Sequence, residues 1–180
     1  MNRAAFLDRD GTIIMDREYV KDPERVQFIP GAPEAIRSLQ RAGYKIVVIT
    51  NQSGIARGIL TESDYQAVKS RLDALLLQHD VVLDGVYYCP HHPDFSGPCD
   101  CRKPALKLYE DAARNLDLDL ANSVYIGDRV RDVSPALATG GRGILVLTGW
   151  GADDEKLLPK GLETAADLAD AARRVVEKTA

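Results

Sequence analysis

The feature that most constrains this chain is an alternation: short apolar, β-branched runs take turns with segments whose apolar residues recur at helical spacing. Ala4-Ala5-Phe6-Leu7, Tyr44-Lys45-Ile46-Val47-Val48-Ile49-Thr50, Gly85-Val86-Tyr87-Tyr88, Ser123-Val124-Tyr125-Ile126-Gly127 and Arg142-Gly143-Ile144-Leu145-Val146-Leu147-Thr148 read as strands, several of them buried on both faces. Pro30-Gly31-Ala32-Pro33 opens a helix carrying Ala35, Ile36, Leu39 and Ala42 on one side, and Gly43 ends it. Thr61-Glu62-Ser63-Asp64 resembles a capping box, with a helix behind it to about Gln78. Further helices are expected over 104–115, briefly after 127, and over the Ala-rich segment 163–177. Strand and helix in alternation predict an α/β fold, a doubly wound parallel sheet forming one domain over 1–180.

Composition narrows the function classes. The 180 residues are 45% hydrophobic with a formal net charge of -4, acids and bases being interspersed. Nucleic-acid and anionic-membrane proteins carry a basic patch, so neither partner is expected. No apolar run approaches the roughly 20 residues of a membrane span, and the first residues show no export signal, so a cytoplasmic protein is expected; a monomer is expected separately.

In a doubly wound sheet, ligands bind beyond the carboxyl ends of the strands. The first strand runs into Asp8-Arg9-Asp10-Gly11-Thr12, two carboxylates that a divalent cation would neutralise, although a turn with solvated acids reads the same alone. Thr50-Asn51-Gln52-Ser53-Gly54 offers hydroxyls, amides and N–H groups suited to phosphate oxygens, or a plain polar turn. Lys103, in Cys101-Arg102-Lys103-Pro104, is placed to meet a phosphoryl group or to face water. Asp128, with Asp132 behind it, completes a metal site with Asp8 or caps a helix. Each bland reading is adequate singly; all four at successive strand ends are improbable together.

Between these acids lies Cys89-Pro90-His91-His92, followed by Cys99-Asp100-Cys101, which contains all three cysteines of the chain. Cys89, His91, Cys99 and Cys101 make a Cys₃His set, the composition of closed structural zinc sites; free thiols are the alternative, and His92 has the poorer offset and is expected to point to solvent. Because the loop runs straight into Arg102 and Lys103, zinc would fix the lysine's position.

The set Asp8-Arg9-Asp10-Gly11-Thr12, Thr50-Asn51-Gln52, Lys103 and Gly127-Asp128-x-x-x-Asp132 resembles, in order, the four motifs of the haloacid-dehalogenase phosphatase superfamily. The resemblance implies Asp8 as nucleophile and Asp10 as general acid and base. It implies Thr50 and Lys103 on the phosphoryl oxygens, and Mg²⁺ held by the Asp8 and Asp128 carboxylates and the Asp10 carbonyl. Too few residues separate the motifs for a cap domain, so the site should be open. The stretch 50–58, the run 87–93 and Cys99-Asp100-Cys101-Arg102-Lys103-Pro104 are similar to the heptose-bisphosphate 7-phosphatase family. That likeness implies a small phosphorylated sugar as substrate, D-glycero-D-manno-heptose 1,7-bisphosphate, on the route to lipopolysaccharide core. It places Asp16, Arg17, Glu18, Tyr19, Asn51, Gln52, Ser53 and Arg129 at the substrate and Arg102 at the remote phosphate. Arg129 stands where the family often has Lys. Histidinol-phosphate phosphatases share a similar zinc loop and form the alternative; a zinc-stabilised binding module without catalysis is more remote, because binding alone does not require both Asp8 and Asp10.

Overall fold

The computed structural model describes residues 1–15 and 19–178; Asp16, Arg17 and Glu18, expected at the sugar, lie outside them. The strands are β1 (Arg3–Leu7), β2 (Tyr44–Asn51), β3 (Gly85–Cys89), β4 (Val124–Gly127), β5 (Arg142–Val146) and β6 (Glu163–Ala165), all parallel, in the order β3-β2-β1-β4-β5-β6. The helices are α1 (Ala32–Arg41), α2 (Glu62–Leu77), α3 (Pro93–Ser96), α4 (Lys107–Leu116), α5 (Val130–Val133), α6 (Pro135–Thr139), α7 (Gly151–Asp154) and α8 (Leu168–Glu177).

Side chains alternate across the sheet, and the apolar runs bury both faces. Ala5, Leu7, Ile46, Val48, Ile126 and Ile144 pack under α1, α2 and α8, whereas Ala4, Phe6, Val47, Ile49 and Tyr125 pack against Leu108, Tyr109 and Ala112 of α4. The capping box at Thr61 is formed, with the Asp64 N–H donating to the Thr61 hydroxyl and the Asp64 carboxylate accepting from the Thr61 N–H. No helix among the described residues is long and apolar enough to cross a membrane.

Two segments differ from expectation. The residues expected as one helix over 163–177 divide into β6 and α8, because Asp167 accepts from the Asp170 N–H as an N-cap and so starts the helix late. The helix expected from 104 starts at Lys107, the residues before it forming turns.

β1 is the pivot. It pairs with β2 on one side and β4 on the other, so the loops leaving β2 and β4 diverge around its carboxyl end. That divergence opens a crevice directly above Asp8.

Candidate active site

Asp8 continues the sheet: its N–H donates to the Ile126 carbonyl at 2.9 Å, which fixes the carboxylate over the centre of the fold. Lys103, almost fully buried, places its ammonium 2.6 Å from an Asp8 oxygen and 2.8 Å from an Asp132 oxygen, and donates to the Ile49 carbonyl at 2.6 Å. Asn51 holds the lysine by its backbone, its Oδ1 accepting from the Lys103 N–H at 3.0 Å and its Nδ2 donating to the Lys103 carbonyl at 3.3 Å. The sequence placed Asn51 at the substrate; in the structure its amide grips Lys103 from the cavity wall.

The carboxylate oxygens of Asp8, Asp128 and Asp132 lie within 4.8 Å of one another, all three residues being buried. A single ammonium faces three acids here. Burial, opposed by Lys103 and reinforced by Asp132 and Asp10, pushes Asp8 up to about 6. Burial, with Asp8 and Asp132 adding to it, pushes Asp128 up to about 8. Burial would lower Lys103, but Asp132 and Asp8 outweigh it and hold the ammonium above the ordinary lysine value. Hard oxygen donors with surplus negative charge fit a divalent cation such as Mg²⁺.

Two glycines make room for Asp128. A Cβ on Gly11, at φ +81°, would stand 2.3 Å from Asp128 Oδ2, and one on Gly149, at φ +54°, would stand 2.1 Å from it. The same oxygen accepts from the Trp150 N–H at 2.8 Å, while the Thr148 hydroxyl donates to the Gly11 carbonyl at 2.6 Å. The residues that follow β5 therefore contribute a wall of the site that the sequence reading did not single out. The Gly-Trp-Gly run at 149–151 was its available signal.

Asp10 lies beside rather than within the acid cluster. Arg9 grips it through two 2.9 Å hydrogen bonds, and Gln52 Nε2 donates to it at 2.8 Å and to the Thr50 hydroxyl at 2.9 Å. Gln52, expected at the substrate, is buried beneath the site and orients Asp10 and Thr50. Tyr19 and Ser53 share a 3.0 Å hydroxyl–hydroxyl hydrogen bond on the cavity wall. Arg129 also reaches that wall, but its Nε donates to Asp154 at 3.1 Å and its guanidinium lies over the Trp150 ring. Arg57, His92, Trp150 and Arg131 line the cavity without having been singled out as site residues. The cavity holds about 710 Å³.

The thiols of Cys89, Cys99 and Cys101 and His91 Nδ1 gather within 4.8 Å of one another, with neighbouring separations of 3.0, 3.3, 3.6 and 3.8 Å. A tetrahedron with Zn–S bonds of about 2.3 Å has edges of about 3.8 Å, so this donor set fits zinc. The loop is tied to the site by the Gln52 N–H on the Cys89 carbonyl at 2.8 Å and by Arg102 Nη1 on the His91 carbonyl at 3.3 Å. His92, expected to face solvent, instead accepts from the Asp94 N–H at the start of α3 and lies 2.7 Å from Arg57 Nη2.

A parallel sheet of this order with buried acids, a lysine and hydroxyls gathered above its central strand defines a phosphatase of the haloacid-dehalogenase type. The family model described as polynucleotide kinase 3 phosphatase matches residues 3–142. The D-glycero-beta-D-manno-heptose-1,7-bisphosphate 7-phosphatase of Salmonella typhi is 42% identical over 179 residues, 95% of each chain. The crystal structure of D,D-heptose 1,7-bisphosphate phosphatase from B. bronchiseptica, complexed with magnesium and phosphate, matches with a TM-score of 0.90 and 36% identity over 98% of this chain and 99% of that one. The corresponding enzyme of Burkholderia thailandensis matches with a TM-score of 0.74 and 31% identity over 96% and 97%. The chain belongs to the heptose-1,7-bisphosphate 7-phosphatase family.

Proposed function

We propose that this chain is a Mg²⁺-dependent phosphomonoester hydrolase that removes the C7 phosphate of D-glycero-D-manno-heptose 1,7-bisphosphate through an aspartyl-phosphate. The observation that carries the reading is the contact of Lys103 with Asp8, inside a cluster of three buried acids, in a chain 42% identical to a phosphatase of that name. Asp8 attacks phosphorus and the bond to the C7 oxygen breaks, with Asp10 giving its proton to the departing alcohol. Water then attacks the phosphoryl group on Asp8 and gives a proton to Asp10, releasing phosphate and restoring both acids. Lys103 and the Thr50 hydroxyl hold the phosphoryl oxygens, while Asn51 and Gln52 keep those two groups in place.

Asp8, Asp128 and the Asp10 carbonyl would hold Mg²⁺, with Asp132 supporting them through Lys103. Bound Mg²⁺ offsets the repulsion between an anionic nucleophile and a phosphate dianion. Cys89, His91, Cys99 and Cys101 would hold a structural zinc ion. Asp16, Arg17, Glu18, Tyr19 and Ser53 would face the sugar, and Arg102 its second phosphate. The chain would act as a one-domain, cytoplasmic monomer supplying activated heptose for lipopolysaccharide core.

The test compares kcat/KM with Mg²⁺ on both anomers of heptose 1,7-bisphosphate, on fructose 1,6-bisphosphate and on histidinol phosphate. A heptose bisphosphate should lead by at least about tenfold, the scale of one charge-assisted contact. A lead for histidinol phosphate would overturn the assignment.

A further inference from the structure

Three arginines reach the cavity above Asp8 from the zinc loop and from the β4 end: Arg102, Arg129 and Arg131. They differ in what balances their charge. Arg129 is paired with Asp154. Arg102 donates to the His91 carbonyl at 3.3 Å and has no carboxylate ion pair among the described residues. Arg131 has a buried Nε with no acceptor there at all. The last two lie close enough on that wall for their positive charges to repel each other. Two like charges turned to one cavity, one with an orphaned donor, are each destabilising. A dianion between them would relieve both at once.

We propose that Arg131 is the second arm of a clamp with Arg102 for a remote phosphate, and that Arg131 sets the preference for bisphosphates over monophosphates. The inference rests on the sugar-bisphosphate reading above and adds to it the arginine that the sequence alone did not select. Arg129, the residue first expected at the substrate, is engaged by Asp154, whereas Arg131 lines the same cavity with an Nε that has no acceptor among the described residues; a guanidinium is suited to two phosphate oxygens. The two ends of the cavity then have opposite character. The acids and Lys103 receive the reacting phosphate, and the paired guanidiniums receive the other.

The experiment measures kcat/KM for heptose 1,7-bisphosphate and heptose 7-phosphate in the Mg²⁺-loaded wild type, Arg131→Met and Arg131→Lys. The wild type should prefer the bisphosphate, and Arg131→Met should shrink that ratio about 10- to 100-fold. Arg131→Lys, which keeps charge but not the fork, should fall between and also serves if the methionine variant does not fold. A wild-type preference that survives both substitutions unchanged would overturn the clamp and leave the bisphosphate reading standing. A wild type without preference would overturn the reading itself, and the clamp with it.

Discussion

Lys103 Nζ sits 2.6 Å from the Asp8 carboxylate, and the lysine's backbone is gripped on both sides by the Asn51 amide. The nucleophile's partner is thus held by the last residue of β2, although it lies in the segment that follows β3. Asn51→Ala removes both grips while leaving the acids in place. It should lower kcat about tenfold, the scale of one or two lost hydrogen bonds, with a smaller change in KM. A loss confined to KM, measured by steady-state kinetics, would place Asn51 on the substrate instead.

Asp8→Asn should abolish turnover, by at least about a thousandfold, because an amide cannot form the acyl-phosphate. Mass spectrometry of quenched wild type should find phosphate on the peptide bearing Asp8. Near-normal turnover in the pure variant would remove Asp8 as nucleophile.

The acid cluster predicts a pH-dependent response to Mg²⁺. Asp8 is raised to about 6 and Asp128 to about 8, so the folded protein without Mg²⁺ binds protons that the unfolded chain releases near pH 4. Stability from this cluster is therefore lost as pH rises from about 4 through 8. Mg²⁺ binds the ionised acids, so the rise in Tm on adding it to magnesium-free protein should be larger at pH 8 than at pH 5. A rise independent of pH would contradict the shared-charge account.

Gly149→Ala tests the wall around Asp128. Its Cβ would meet Asp128 Oδ2 at 2.1 Å in a backbone conformation that disfavours L side chains. Mg²⁺ affinity, read by titration calorimetry, should fall about 10- to 100-fold, the scale seen when the surroundings of a metal ligand are disturbed. Unchanged affinity in a folded variant would separate Asp128 from the metal.

For the zinc loop, elemental analysis of protein purified without chelators should find one zinc per chain, and Cys99→Ser should lose it. Thiolate ligation couples that loss to stability, so Tm should fall with it. Three freely titratable thiols in zinc-free protein of full stability would contradict the assignment.

Periodicity made most of this fold legible. Runs such as Ile46-Val47-Val48-Ile49 and the capping residues of α2 are local signals, and local signals survive in sequence. β6 was hidden because three residues beside an Ala-rich segment carry helix propensity and no alternation, while pairing with β5 is a long-range choice. The acids at the strand ends stood out for a related reason: once strands are drawn, their carboxyl ends are known. What stayed hidden depends on approach in space. Gln52 reads as a polar loop residue until Asp10 and Thr50 meet it. Arg129 reads as the substrate arginine until Asp154, 25 positions beyond it, is found to engage it.

The account's central claim concerns which phosphate leaves. Phosphorus NMR of heptose 1,7-bisphosphate turned over with Mg²⁺ should show the C7 signal replaced by inorganic phosphate while the anomeric phosphate persists. Loss of the anomeric phosphate first, leaving heptose 7-phosphate, would contradict it.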